Sequence, residues 1–206
     1  RRARRARARA GCGNGCRCRG GGRSRHGRGR LFLLGASRQQ KRGRQDRRQL
    51  HVAILIFPEV EVLDFAGPYE VFTTATRVAQ QPVFEVMTVA AEPDAVRARA
   101  GLVVRADYAL HAHPPVDLLI VPGGVVTAAL ASPALIDWIA EVASQSRLTA
   151  SVCTGAFLLA KAGVIDTQTV TTHWEDIDDL RAGWPSLRVV DGVRWVDQGR
   201  IVTSAG

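Results

Sequence analysis

The stretch Leu148-Thr149-Ala150-Ser151-Val152-Cys153-Thr154-Gly155-Ala156-Phe157-Leu158-Leu159-Ala160-Lys161-Ala162 decides the fold. Its first five residues carry no charge and have the form of a strand covered on both faces, whereas Ala156 to Ala162 are good helix formers. Cys153, Thr154 and Gly155 stand between them and are too few for a loop, so the chain passes from strand to helix in one sharp turn. A strand covered on both faces belongs to a parallel sheet flanked by helices. A turn of this kind pushes one side chain out of the sheet, toward the space faced by the free N–H groups of the next helix. Cys153 is that side chain.

Reading outward, residues 51–206 alternate short β-type runs with helical ones, which predicts an α/β fold around a mostly parallel sheet. His51 to Phe57 reads as a buried strand, and Asp64 stands where the next helix begins, ahead of apolar Phe65, Tyr69, Val71 and Phe72. Val83 to Ala90 reads as a strand and residues 101–110 as a pair of short β segments. Pro115 to Val121 makes a central strand that breaks at Pro122-Gly123-Gly124, where paired glycines mark a close backbone approach. Ser132 caps a helix with Leu135, Ile136, Trp138, Ile139 and Val142 on one face, a core stripe. Beyond the Cys153 turn come a short strand ending at Thr172-His173, a helix from about Glu175 to Arg181, a hairpin turning at Asp191-Gly192 and a strand at Ile201-Val202-Thr203. The pattern leads one to expect a further helix that residues up to Gly206 do not include, and sheet surface left uncovered without it.

The whole chain of 206 residues holds 28 Lys+Arg against 19 Asp+Glu, a formal +9 that by itself points to a nucleic-acid partner. The average conceals two different polymers. Residues 1–50 contain 18 basic side chains and a single acid, Asp46, for +17, leaving 10 basic and 18 acidic side chains to the other 156 residues, for −8. The second segment is long enough for one domain with its own core. The first is built from Arg, Ala, Gly and Cys without an apolar face, so the expectation is a disordered extension, without function or assigned to the protein in error. Cys12, Cys16, Cys18 and His26 make a weak zinc set, since Cys-x-x-x-Cys-x-Cys lacks the paired spacing of zinc modules. No aromatic residues interleave the arginines to stack on bases. Only Cys153 remains in the domain, which argues against a disulfide framework and for a reducing compartment. Leu31-Phe32-Leu33-Leu34 is too short for a signal peptide and no apolar run approaches the roughly 20 residues of a membrane span, so a soluble, cytoplasmic protein is expected.

At a helix N-terminus a thiol is expected to ionise more readily, and the free amides there can hold a developing anion. Gly123 and Gly124, ending a neighbouring strand, are candidates for a second anion-binding amide.

Five ordered blocks carry a resemblance. They are Val52 to Phe57 with Val62-Leu63-Asp64-Phe65-Ala66-Gly67-Pro68-Tyr69-Glu70-Val71-Phe72; Val121-Pro122-Gly123-Gly124; Ser151-Val152-Cys153-Thr154-Gly155-Ala156; Thr171-Thr172-His173-Trp174; and Val202-Thr203-Ser204-Ala205-Gly206. Together they resemble the ThiJ/PfpI branch of the class I glutamine amidotransferase-like superfamily. Within it the chain is most similar to the isonitrile hydratase-like group and to the sensor domains of AraC-type transcription regulators. The resemblance implies a flavodoxin-like three-layer α/β/α sandwich over residues 51–206, a homodimer, a small-molecule substrate, and no metal or organic cofactor. It also implies that Cys153 is the nucleophile, Asp64 the acid facing the thiol and Thr154 the threonine after the nucleophile, with His173 and the Gly123-Gly124 amides beside the substrate. Peptidase-like members carry a histidine where this chain has Thr154, which argues against proteolysis. True glutaminase domains use a Cys-His-Glu triad whose His and Glu lie close together near the C-terminus, and the expectation is that this chain lacks such a His-x-Glu pair.

Two functional classes follow from the resemblance. One is hydration of an isonitrile, with glyoxalase- or deglycase-like action on an α-oxoaldehyde as a variant. The other is ligand sensing without catalysis, in which nucleic acid would be bound by a helix-turn-helix region C-terminal to these residues.

Overall fold

The computed structural model describes residues 48–206 apart from Pro93, and these fall within one compact unit. Cys12, Cys16, Cys18 and His26, with the extension predicted around them, lie outside the described residues.

The first strand, β1 (Leu50–Leu55), is buried from Val52 onward and leads into helix α1 (Val62–Ala79). Strand β2 (Phe84–Ala90) follows, then the β3 (Ala95–Arg97) and β4 (Val103–Arg105) hairpin and the two-residue β5 (Tyr108–Ala109). The central β6 (Leu118–Val121) is joined through the short α2 (Thr127–Leu130) and α3 (Pro133–Gln145) to β7 (Leu148–Val152). Helix α4 (Gly155–Lys161) begins two residues after β7 ends, across Cys153-Thr154. The remaining elements are β8 (Thr169–Val170), α5 (Ile177–Gly183), β9 (Arg188–Val189), β10 (Trp195–Asp197) and β11 (Ile201–Ser204).

Seven strands form the main sheet in the order β10-β11-β7-β6-β1-β2-β5, and every neighbouring pair is parallel except β10 with β11. From β1 the chain crosses to β2 in one direction, but β6 is laid on the other side of β1 and β7 beyond it. Because crossovers between parallel strands are right-handed, this reversal puts α1 on one face and the α2–α4 group on the other. The result is the expected flavodoxin-like three-layer α/β/α arrangement. Its core is a continuous apolar cluster that includes Ile54, Leu119, Ile139, Leu158 and Leu159, each fully buried. The reversal also opens a crevice at the C-terminal ends of β1 and β6, the position at which open α/β sheets bind ligands.

Several local expectations are corrected. The Asp191-Gly192 turn does not join a hairpin: β9 pairs in parallel with β8, and the hairpin is β10–β11, turning through Gln198-Gly199-Arg200. Helix α1 starts at Val62, so Asp64 lies inside its first turn and caps nothing. Of the apolar residues following Asp64, Phe65 is buried whereas Tyr69 and Val71 are exposed. Strands β4 and β5 fall within the pair of β segments expected over 101–110, whereas β3, only three residues long, is too short for its alternation to register. Among the described residues no helix is long and apolar enough to cross a membrane.

Candidate active site

The segments leaving β1, β6 and β7 meet around a crevice of about 460 Å³. Asp64, Gly124, Cys153, Thr154 and His173 line it, together with Glu61, Arg99, Glu175, Asp176 and Gly206. Gly123 stands just behind this wall, its N–H turned to Asp64 Oδ2 at 3.2 Å. The six positions singled out from sequence are thus brought to one place.

Cys153 sits at φ +56°, a conformation that non-glycine residues adopt only when the surroundings hold them there. The surroundings do. Its N–H donates to the Ser204 carbonyl at 3.0 Å, prolonging the β7–β11 ladder by one residue. Its own carbonyl accepts a hydrogen bond from Thr172 Oγ1 at 2.9 Å. On the β6 side, Gly124 has φ +137°, and a Cβ there would stand 2.3 Å from the Glu59 carbonyl oxygen, so only glycine allows this loop to close.

Asp64 is buried, at 6% exposure, and its carboxyl group shares the crevice with the Cys153 thiol, close enough for each to act on the other's ionisation. Burial raises the Asp64 pKa above the ordinary carboxylate value, and the charge of Glu61 adds to this, against the thiol, the Gly123 N–H and His173. Burial likewise pushes the Cys153 thiol up to about 11, and the negative charge of Asp64 acts in the same direction. The Thr154 N–H, which faces the sulfur, works the other way without prevailing. This corrects the expectation of a thiol made acidic by its helix: α4 has only seven residues, and desolvation beside a carboxylate outweighs what its N-terminus offers. At rest the proton is on sulfur, aimed at the carboxylate.

Thr154 and the paired glycines also differ from expectation in detail. Thr154 Oγ1 accepts from the Gly124 N–H and donates to the Gly124 carbonyl, both at 2.9 Å. The two glycine amides expected to be open to an anion are therefore engaged within the protein, one by Thr154 and one by Asp64. The amide left facing the sulfur is that of Thr154.

His173 lines the crevice with its Nε2 at 3.4 Å from Glu175 Oε2. His173-Trp174-Glu175 is a His-x-Glu sequence, so the chain carries the pair whose absence would set it apart from glutaminase domains. What distinguishes this site is that the carboxyl group acting on the thiol is Asp64, in the first turn of α1. Asp176 also reaches the crevice, and burial raises its pKa with help from Asp179 and Glu175 and against His173. Thr172 went unnoticed as well. Its only sequence signal is a polar doublet, Thr171-Thr172, at a place where the chain is otherwise buried. Among the described residues no group of three or more His, Cys, Asp or Glu could hold a metal ion.

A strand-to-helix turn presenting a cysteine, with an acid from the first turn of α1 beside it, at the switch point of a parallel sheet, defines a class of fold and site. The family model for the DJ-1/PfpI family matches residues 50–206, and the chain belongs to that family. It is 32% identical over 158 residues to the isonitrile hydratase of Pseudomonas putida, an alignment covering 76% of this chain and 65% of that protein. It is 29% identical over 152 residues to the HTH-type transcriptional regulator CdhR of Pseudomonas aeruginosa, covering 74% of this chain and 45% of the regulator. The chain therefore spans somewhat less than two thirds of the first of these relatives and under half of the second. Among solved structures, a ThiJ/PfpI family protein from Pseudomonas syringae superposes with a TM-score of 0.66 at 23% identity, covering 84% of this chain and 69% of that one.

Proposed function

We propose that the chain hydrates a small electrophile by covalent cysteine catalysis and that an isonitrile is the substrate its site suits best. The observation that carries this reading is the Cys153 thiol sharing its crevice with a buried Asp64 whose pKa is raised. An isonitrile needs three things at its terminal carbon: a nucleophile, a proton and then water. The Cys153–Asp64 pair supplies the first two together. As sulfur attacks the carbon, its proton passes to Asp64, and Asp64 returns that proton to the same carbon, giving a neutral thioimidate. A raised thiol pKa is no obstacle to this route, because the acceptor for the proton stands in the same crevice as the sulfur. Water then adds to the thioimidate carbon, with His173 at the crevice wall as the group to receive its proton. The proton taken from water passes on to the nitrogen, the C–S bond breaks as the remaining hydroxyl proton moves to sulfur, and an N-substituted formamide leaves. The sum is isonitrile plus water to formamide, without redox change. Thr154 keeps its N–H toward sulfur throughout, and the engaged glycine amides hold the wall rather than the intermediate. The similarity to the P. putida isonitrile hydratase supports the choice of substrate.

Ligand sensing is the second reading, favoured by the similarity to CdhR. One assay separates them. The protein is incubated with cyclohexyl isonitrile, or in parallel with methylglyoxal, and products are followed by mass spectrometry. N-cyclohexylformamide from the wild type and none from Cys153→Ala supports hydration. Equal formamide from both proteins overturns covalent catalysis. Lactate from methylglyoxal with no formamide moves the activity to glyoxalase chemistry, and thermal stabilisation by isonitrile with no product favours the sensor.

A further inference from the structure

We propose that Thr172 is a positioning residue for Cys153, holding the Cys153–Thr154 peptide plane so that the Thr154 N–H stays aimed at the sulfur. The inference rests on the reading of Cys153 as the reacting group and adds a residue that the reading does not require.

One peptide unit carries both ends of the argument. Its carbonyl, that of Cys153, accepts from Thr172 Oγ1 at 2.9 Å. Its N–H, that of Thr154, faces the Cys153 sulfur and favours the thiolate. A peptide is planar, so fixing the carbonyl direction fixes the N–H direction opposite it. The need for such a clamp is plain from the backbone: with φ at +56°, Cys153 sits in a sparsely populated well, and the neighbouring ψ is free to rotate the plane unless something holds it. The ladder bond from Cys153 N–H to Ser204 fixes the peptide before Cys153, not the one after it. Thr172 is suited to the task. It is fully buried, at 0% exposure, and the adjacent Thr171 N–H is tied to Thr203 Oγ1 at 2.9 Å, so the donor is carried on backbone anchored to β11. A hydrogen bond accepted by a carbonyl also strengthens donation by the N–H of the same amide. Thr172 thereby acts on the sulfur through an atom it does not touch.

The experiment compares wild type with Thr172→Ser, which keeps the hydroxyl, and with Thr172→Val and Thr172→Ala, which remove it by two different changes of volume. The first readout is the rate of iodoacetamide alkylation of the peptide carrying Cys153, resolved by mass spectrometry, against pH. Loss of one hydrogen bond predicts that Val and Ala slow alkylation at a given pH by between about two- and tenfold and move the pH dependence upward by up to about one unit, with Ser restoring wild-type behaviour. The second readout is formamide production, where Val and Ala lower kcat with little change in KM. An unchanged pH profile in both Val and Ala overturns the proposal, even if both are less stable, and so does a Ser variant that behaves like Val. If Val does not fold, Ala alone carries the comparison with Ser. Alkylation needs no substrate, so a wild type that makes no formamide while Val and Ala still shift the profile sinks the hydration reading and leaves Thr172's role standing.

Discussion

The strands β6 and β7 have a pocket at each end, and the two ends are built differently. At the N-terminal end a cavity of about 380 Å³ is lined by His111, His113, Pro114, Pro115 and Trp138 among others. There the histidine is satisfied on both nitrogens: His113 Nε2 accepts from Trp138 Nε1–H at 2.9 Å, and Nδ1 is 2.8 Å from the Pro114 carbonyl oxygen. Positive-φ backbone is absent among its lining residues. At the C-terminal end, space of similar size surrounds a strained cysteine, a buried carboxyl group with a raised pKa, and a loop that only glycine can close. Volume and a histidine occur at both poles. What separates them is stored strain and charge held out of water, both of which reduce stability and persist where the rest of the fold outweighs them.

The comparison can be broken most directly at Cys153. Cys153→Ala takes formamide production to the uncatalysed rate, while His113→Gln leaves it unchanged; equal losses would erase the distinction between the two poles. Next in size, Asp64→Asn lowers turnover by at least about 100-fold, because the proton for the isonitrile carbon no longer has a carrier. The same variant removes a negative charge from beside the sulfur, so its Cys153 alkylates faster than wild type at fixed pH, and slower alkylation would show that Asp64 assists ionisation.

Stability provides the following test. A Cβ on Gly124 meets the Glu59 carbonyl, so Gly124→Ala lowers the unfolding free energy by about 2–4 kcal/mol, measured by urea titration. Gly183, with open space about it, tolerates the same change within about 0.5 kcal/mol.

The pH dependence has a definite sign. Asp64 and Cys153 both have folded pKa values above their unfolded ones, so each favours the folded state while protonated. The contribution of Asp64 is full below the ordinary carboxyl value of about 4 and is lost as pH rises to its higher folded value. That of Cys153 is lost between pH 9.0 and about 11. Asp64→Asn therefore unfolds at higher temperature than wild type at pH 7, and a lower temperature would mean that the carboxylate is stabilised by its site. A smaller effect than at Gly124 is expected at the other pole, where Trp138→Phe deletes one hydrogen bond to His113 and lowers stability by about 1 kcal/mol without moving turnover.

The sheet and its reversal were legible because buried strands such as Val52–Leu55 and Leu118–Val121 are apolar without interruption, and the sharp turn at Cys153 has no other reading. The companions of Cys153 came from ordered motifs that resemble a family, and the crevice does gather them. Three things escaped. Thr172 and Asp176 matter by where the chain brings them, 19 and 23 residues past Cys153, and a polar residue in a short irregular segment has no period to betray it. The thiol's pKa was judged from one local feature, the following helix, when burial and a carboxylate 89 residues earlier in the chain decide it. The amides of Gly123 and Gly124 were judged by backbone form alone, and their partners are side chains on two other segments.

Gly206 gives the sulfur its remaining boundary. It lies at φ +108°, and a Cβ placed on it would come within 3.3 Å of Cys153 Cβ and 3.8 Å of the sulfur. The gap there is the size of a missing methyl group. Any other residue at 206 would lean on the nucleophile from the β11 side, so the approach to sulfur along that side is kept open by a hydrogen atom where every other amino acid places carbon.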